Sequence, residues 1–241
     1  MAAVTQDTAG SAKGRARLSN FACKTIMAIT GLIFAAFVFV HMIGNLKVFL
    51  GPDDFNAYAH WLRAGLEPLL PYEALLWIMR VVLLLCLIAH VGCSVVLAAR
   101  ARKARGPHRR KNMGLRSFTA RTMLVTGIVL LAFIIFHILD LTTGTHPFAS
   151  SGFEHATTAQ SYAYENLIAS FQRPLPAAFY ILAMVILAAH ISHGIWTAAH
   201  DLGVTGQRTR QVALVVSGAV AVLVMIANAS IPVFVLLGVL Q

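Results

Sequence analysis

Four histidines, His41, His90, His137 and His190, lie inside long apolar stretches of this 241-residue chain. An imidazole without a partner is costly in hydrocarbon, and ionisable residues within membrane spans mark pathways or ligand sites. Neutral imidazole is a good axial ligand for heme iron, which a bundle of facing helices can hold. Spacing sorts the four into two levels. His41 lies 17 residues beyond Lys24 and His137 lies 16 beyond Arg121, which is about 25 Å along a helix rising 1.5 Å per residue. His90 precedes Arg100 by ten residues and His190 precedes Asp201 by eleven, about 15 Å from the same ends. His41 is therefore expected opposite His137, and His90 opposite His190, as the ligands of two irons stacked across a bilayer.

The elements that position them must be membrane helices. Hydrophobic residues make up 58% of the chain and charged residues 12%, with a mean hydropathy of +0.74, outside the range of ordinary soluble domains. A span needs about 20 mostly apolar residues. Five stretches qualify, 24–49, 72–99, 122–143, 176–199 and 212–239, and their continuous apolar runs exclude a lipid-facing barrel with its alternating pattern. The expectation is an all-α, single membrane domain over 1–241, with 1–23 as a cytoplasmic N-terminal segment and the first span kept as structure, since it is longer than a signal peptide's core and has no convincing small-residue cleavage site after it.

Charge sets the orientation. Of 19 Lys and Arg residues, 15 fall within Lys13–Lys24, Arg100–Arg121 and the pair Arg208 and Arg210. These segments share one face, which the positive-inside rule makes cytoplasmic, so the C-terminus is expected outside. The net charge of +10 then reads as topology and contact with anionic lipid, not as nucleic-acid binding.

The spans repeat in parallel order. Thr30-Gly31 is followed ten residues after the glycine by His41, and Thr126-Gly127 likewise by His137; the second and fourth spans carry Ala89-His90 and Ala189-His190. Gly31, Gly92, Gly127 and Gly194 are close-approach points where a flat ring can lie beside a helix. The fifth span has neither histidine nor motif and is expected to pack and anchor. The outer loops, with Tyr58, Trp61, Tyr162, Tyr164 and Phe171, read as short interfacial helices carrying an aromatic belt.

This pattern resembles the single-subunit, five-helix, di-heme cytochrome b anchors of succinate:quinone oxidoreductases. The resemblance rests on Thr30 to Lys47, Asn56-Ala-Tyr58, Arg80 to His90, Arg121 to His137, Leu141 to Gly144 and His190 to Trp196, and covers about residues 24–205. It implies two bis-histidine b hemes, His41 with His137 for the outer and His90 with His190 for the inner. It places His193 as a hydrogen-bond or propionate neighbour. It also implies an FAD flavoprotein and an iron–sulfur subunit on the cytoplasmic side of the cell inner membrane, a quinone acceptor, menaquinone in this reading, and room for a higher oligomer. Where relatives often carry a second histidine, this chain has Asp140, either a surface carboxylate or a proton acceptor at a quinone pocket.

Other residues carry their own alternatives. Arg80 is a propionate partner or a residue reaching the outer interface, and Lys47 a second candidate for the same carboxylate. Cys86, His90 and Cys93 share a helix face, so with His190 and His193 opposite they could hold a Rieske-type [2Fe-2S] cluster in place of the inner heme. His146, His155 and His200 read as solvated, and so does His60, which is also a remote quinone-site candidate. The function expected is electron relay from succinate oxidation to quinone. The same architecture serves fumarate reduction, and a proton-relaying transporter or a cofactor-free scaffold are the other classes of reading.

Overall fold

The computed structural model describes residues 18–105 and 115–241, with residues 115–121 as backbone only. Parts of two basic segments, 13–17 and 106–114, lie outside the described residues. Every regular element among those described is helical, and five helices are long and apolar enough to cross a membrane.

Helix α1 (Asn20–Asn45) starts where the Ser19 hydroxyl accepts the Ala22 N–H at 3.0 Å, and it runs on through a 3-10 turn at Leu46–Leu50. Gly51, at φ +102°, turns the chain into α2 (Pro52–Ala64), which has Pro52 in its first turn, Asp53 and Asp54 at its positive end and Arg63 at its negative end. Helix α3 (Ala74–Arg105) and helix α4 (Leu115–Leu141) follow. The short α5 (Ala163–Phe171) leads through Arg173 into α6 (Pro174–Asp201), and α7 (Gln207–Leu236) ends the bundle.

Hydropathy located the spans but not their ends. The chain over 100–105 and 115–121, expected as loop, is helical. A helix does not stop where its apolar run stops, and Arg102, Lys103 and Arg105 in the last turn of α3 suit its negative end.

Helix α1 packs on α3 and α4 packs on α6, while α1 and α6 meet between them. Helix α7 lies along α6, the most extensive pairing in the molecule, and Asn45 of α1 donates to Asn228 of α7 at 3.0 Å. One core at the far end from the N-terminus joins Phe55, Phe133, Tyr164, Phe171 and Tyr180, and a second joins Met42, Ala188, Ile191, Ala221 and Val224. Tyr164 and Phe171 are thus core residues, not part of an aromatic belt: α5 is folded under the α2, α6 and α7 ends, which covers its apolar face. Trp61 does stay exposed. Leu84, Ile88, Val125, Leu182 and Leu223 point outward from the spans, as lipid-facing residues must.

The α6–α7 seam sets a stability test. Ala221 is 2% exposed and its neighbour Val222 is 50% exposed. Ala221→Phe is expected to destabilise the detergent-solubilised protein by about 1–3 kcal/mol through overpacking, seen as a lower Tm, while Val222→Phe leaves Tm near that of the wild type.

Candidate functional site

The four histidines come from the four helices that form the two packed pairs. His41 (α1) and His137 (α4) face each other with ring centroids 6.0 Å apart and planes at 81°. Two imidazoles bound to one iron through bonds of about 2 Å have ring centroids about 6 Å apart, so this pair fits an axial ligand set. His90 (α3) and His190 (α6) lie close enough to interact electrostatically. As whole residues three of the four are half-buried and His41 is exposed, and all stand on apolar spans.

Three of the four Nδ1 atoms are engaged. His90 Nδ1 lies 3.0 Å from the Thr30 hydroxyl and His190 Nδ1 lies 3.0 Å from that of Thr126. His137 Nδ1 lies 3.3 Å from the Tyr180 hydroxyl. Each of these hydroxyls donates its proton elsewhere, Thr30 to the Ile26 carbonyl at 2.7 Å, Thr126 to Met123 at 3.0 Å and Tyr180 to Asp140 at 3.0 Å. The hydroxyl oxygens therefore accept from Nδ1–H, and Nε2 is the nitrogen left to bind metal. The glycines of the repeat sit beside the rings. A Cβ at Gly31 would lie 3.2 Å from His90 Cε1, and one at Gly127 would lie 3.7 Å from His190 Cε1. One at Gly92 or Gly194 would meet nothing within 4 Å, so those two are not helix-contact points. The donor type of both pairs and the spacing of the outer pair suit bis-histidine ligation of an iron.

Asp140 is not a surface carboxylate. It is 1% exposed and accepts from Ser170 Oγ at 2.5 Å, Tyr180 OH at 3.0 Å and Arg173 Nη2 at 2.7 Å. Burial is possible because Arg173 supplies the opposite charge and two hydroxyls fill the remaining lone pairs. Arg173, Ser170 and Tyr180 escaped the sequence reading because they lie 30 to 40 residues away across a loop. Only the spacing of Asp140, one turn past His137, hinted at a link.

The remaining candidates are spread out. Arg80 lies over the Trp77 ring at 4.9 Å with Glu73 4.0 Å away, at the start of α3, and Lys47 lies over Tyr58 at 5.6 Å. His193 is beside Trp196. Cys93 lies near Cys23 of α1. Among the described residues His, Cys, Asp and Glu side chains do not gather in threes as metal ligands, and Cys86, Cys93, His90 and His193 do not converge. Two histidines read as solvated are not. His200 donates from Nδ1 to the Trp196 carbonyl at 2.7 Å and accepts from Arg210 Nε at 2.6 Å. His60 Nδ1 is buried without a hydrogen-bond partner, its ring beside Tyr72.

This chain is similar to the succinate dehydrogenase cytochrome b558 subunit of Bacillus subtilis (strain 168). The two are 25% identical over 187 residues, 77% of this chain and 82% of that relative. No family model and no solved structure matches this chain. The likeness supports a multi-pass membrane subunit of an oxidoreductase complex, in keeping with the five apolar helices.

Two ion pairs of unequal burial give a second test. Asp140→Ala leaves Arg173 without its counter-charge and should cost about 3 kcal/mol. Lys24→Ala breaks an exposed pair with Asp201 (3.1 Å, Lys24 side chain 53% exposed) and should cost less than about 1 kcal/mol. Unfolding of both variants in mixed micelles measures the difference.

Proposed function

We propose that this chain is the membrane-anchor cytochrome b subunit of a succinate dehydrogenase, relaying electrons from a cytoplasmic iron–sulfur subunit through two b hemes to a quinone, menaquinone in this reading. The observation that carries the proposal is the facing of His41 and His137 at axial-ligand separation, with His90 and His190 each held through Nδ1 by a threonine of the adjoining helix and a named cytochrome b relative aligned over most of the chain.

Bound heme supplies reversible one-electron chemistry between ferric and ferrous iron. The chain's own residues do the rest. His41 and His137 would hold the outer group and His90 and His190 the inner one, with Nε2 the free nitrogen of His90, His137 and His190. Thr30, Thr126 and Tyr180 fix ring orientation through Nδ1. Phe37, stacked on His41 at 5.4 Å, and Phe133, 5.9 Å from His137, exclude water around the outer pair. Lys47, Arg80 and His193 are the candidates to meet propionates, and Asp140 and His60 remain the candidates near a quinone. For Asp140 that role requires a route through its Arg173 and Tyr180 partners. The basic end, with Arg100, Arg102, Lys103 and Arg105, faces the cytoplasm and docks the iron–sulfur subunit, and the flavoprotein binds beyond it.

The test is a reduced-minus-oxidised optical spectrum of the purified complex. A b-type α band is expected, with heme content falling by about half in His41→Ala and in His190→Ala. Undiminished heme in both variants would overturn the assignment, and a Rieske-type paramagnetic signal without a b-type band would replace the inner heme by a cluster.

A further inference from the structure

The repeat contains one part that iron ligation by histidine does not explain, the threonine before each glycine. Thr30 and Thr126 occupy the same place in their hairpins, and each reaches the histidine of the partner helix, not that of its own: Thr30 on α1 meets His90 on α3, and Thr126 on α4 meets His190 on α6, both at 3.0 Å. Thr30 is 7% exposed, in a span where water cannot substitute for it.

The direction of these bonds follows from the helix. A threonine in an α-helix commonly returns its hydroxyl proton to a carbonyl three or four residues back. Thr30 does so to Ile26 at 2.7 Å and Thr126 to Met123 at 3.0 Å. Once that proton is committed, the oxygen can only accept. A histidine that donates through one ring nitrogen is fixed in tautomer and orientation and is a more basic ligand through the other. The two histidines so held are the two assigned to one iron.

We infer that Thr30 and Thr126 are positioning residues for the inner heme, each hydroxyl holding the Nδ1–H of the histidine across its hairpin and directing Nε2 at the same iron from opposite sides. The inference rests on the heme reading above. It identifies the Thr-Gly pair as a unit, with the threonine aiming the ring and the glycine leaving room for it.

The experiment is a potentiometric titration, followed optically, of the intact complex carrying Thr30→Val, Thr126→Val, their serine counterparts, or Thr25→Val. Thr25 is the control, since among the described residues its hydroxyl bonds only the Phe21 carbonyl of its own helix, at 3.1 Å. Losing the acceptor weakens the imidazole as a donor and disfavours ferric iron more than ferrous. Both valine variants are therefore expected to raise the midpoint of the same one of two b-type centres, by about 59 mV for each tenfold preferential loss of ferric-state binding. They should also release that heme more readily, by about 10–100-fold. Serine restores the wild-type values, and Thr25→Val leaves both centres unchanged. Thr30→Ala and Thr126→Ala, which remove bulk as well, serve if a valine variant does not assemble. Wild-type midpoints and heme retention in the valine or alanine variants would overturn the inference, as would equal shifts at both centres. A wild-type complex with no b-type absorbance would instead sink the heme reading itself.

Discussion

Imidazole in hydrocarbon has two ring nitrogens to satisfy and no water to help, and the bundle is organised around that constraint. At His90, His137 and His190 the first nitrogen is met by a hydroxyl on the adjoining helix. Each hydroxyl's own proton is bound to a backbone carbonyl or to Asp140. These are cross-helix bonds, so they also set the register of α1 against α3 and of α4 against α6. His41 is the exception: it has no protein hydrogen bond among the described residues and is held by Phe37 and by His137.

The same constraint explains the far end of the molecule. Asp140 is a full charge beside the outer histidine pair, and it stays there because Arg173, Ser170 and Tyr180 converge on it. Tyr180 then joins the carboxylate to His137, so one hydrogen-bonded chain runs from the outer histidine to a half-exposed arginine. The aromatic cluster around Phe133, Phe171 and Tyr180 closes over it. Helix α7 brings no histidine. It backs α6, and with Asn228 bound to Asn45 it ties the two central helices α1 and α6 into one face.

Two levels of paired histidines suit a relay, because an electron crossing a membrane needs stations spaced along the path. In the proposed function the basic end receives electrons from a soluble partner, and the inner and then the outer histidine pair carry them across the membrane. The contrast between levels lies in the surroundings: the inner pair leans on two neutral threonines, the outer pair on a tyrosine tied to a carboxylate and an arginine.

The number of spans, their apolar character and the doubled hairpin were legible from residue order, because hydropathy and helical rise act along a single helix. The heights of the histidines followed from counting residues, and so did the expectation that His41 stands opposite His137. Helix ends were not legible, since the backbone ladder of α3 and α4 continues into charged turns where hydropathy has already changed sign. Nor were the partners of Asp140 or the burial of Tyr164 and Phe171. The Thr-Gly pair shows the division most clearly. Residue order displayed it twice, at matched positions before His41 and His137, and gave the threonines no partner. The tertiary structure gave its hydroxyls to His90 and His190, because a threonine's short side chain reaches only what the neighbouring helix places beside it, and that is decided by packing across the hairpin.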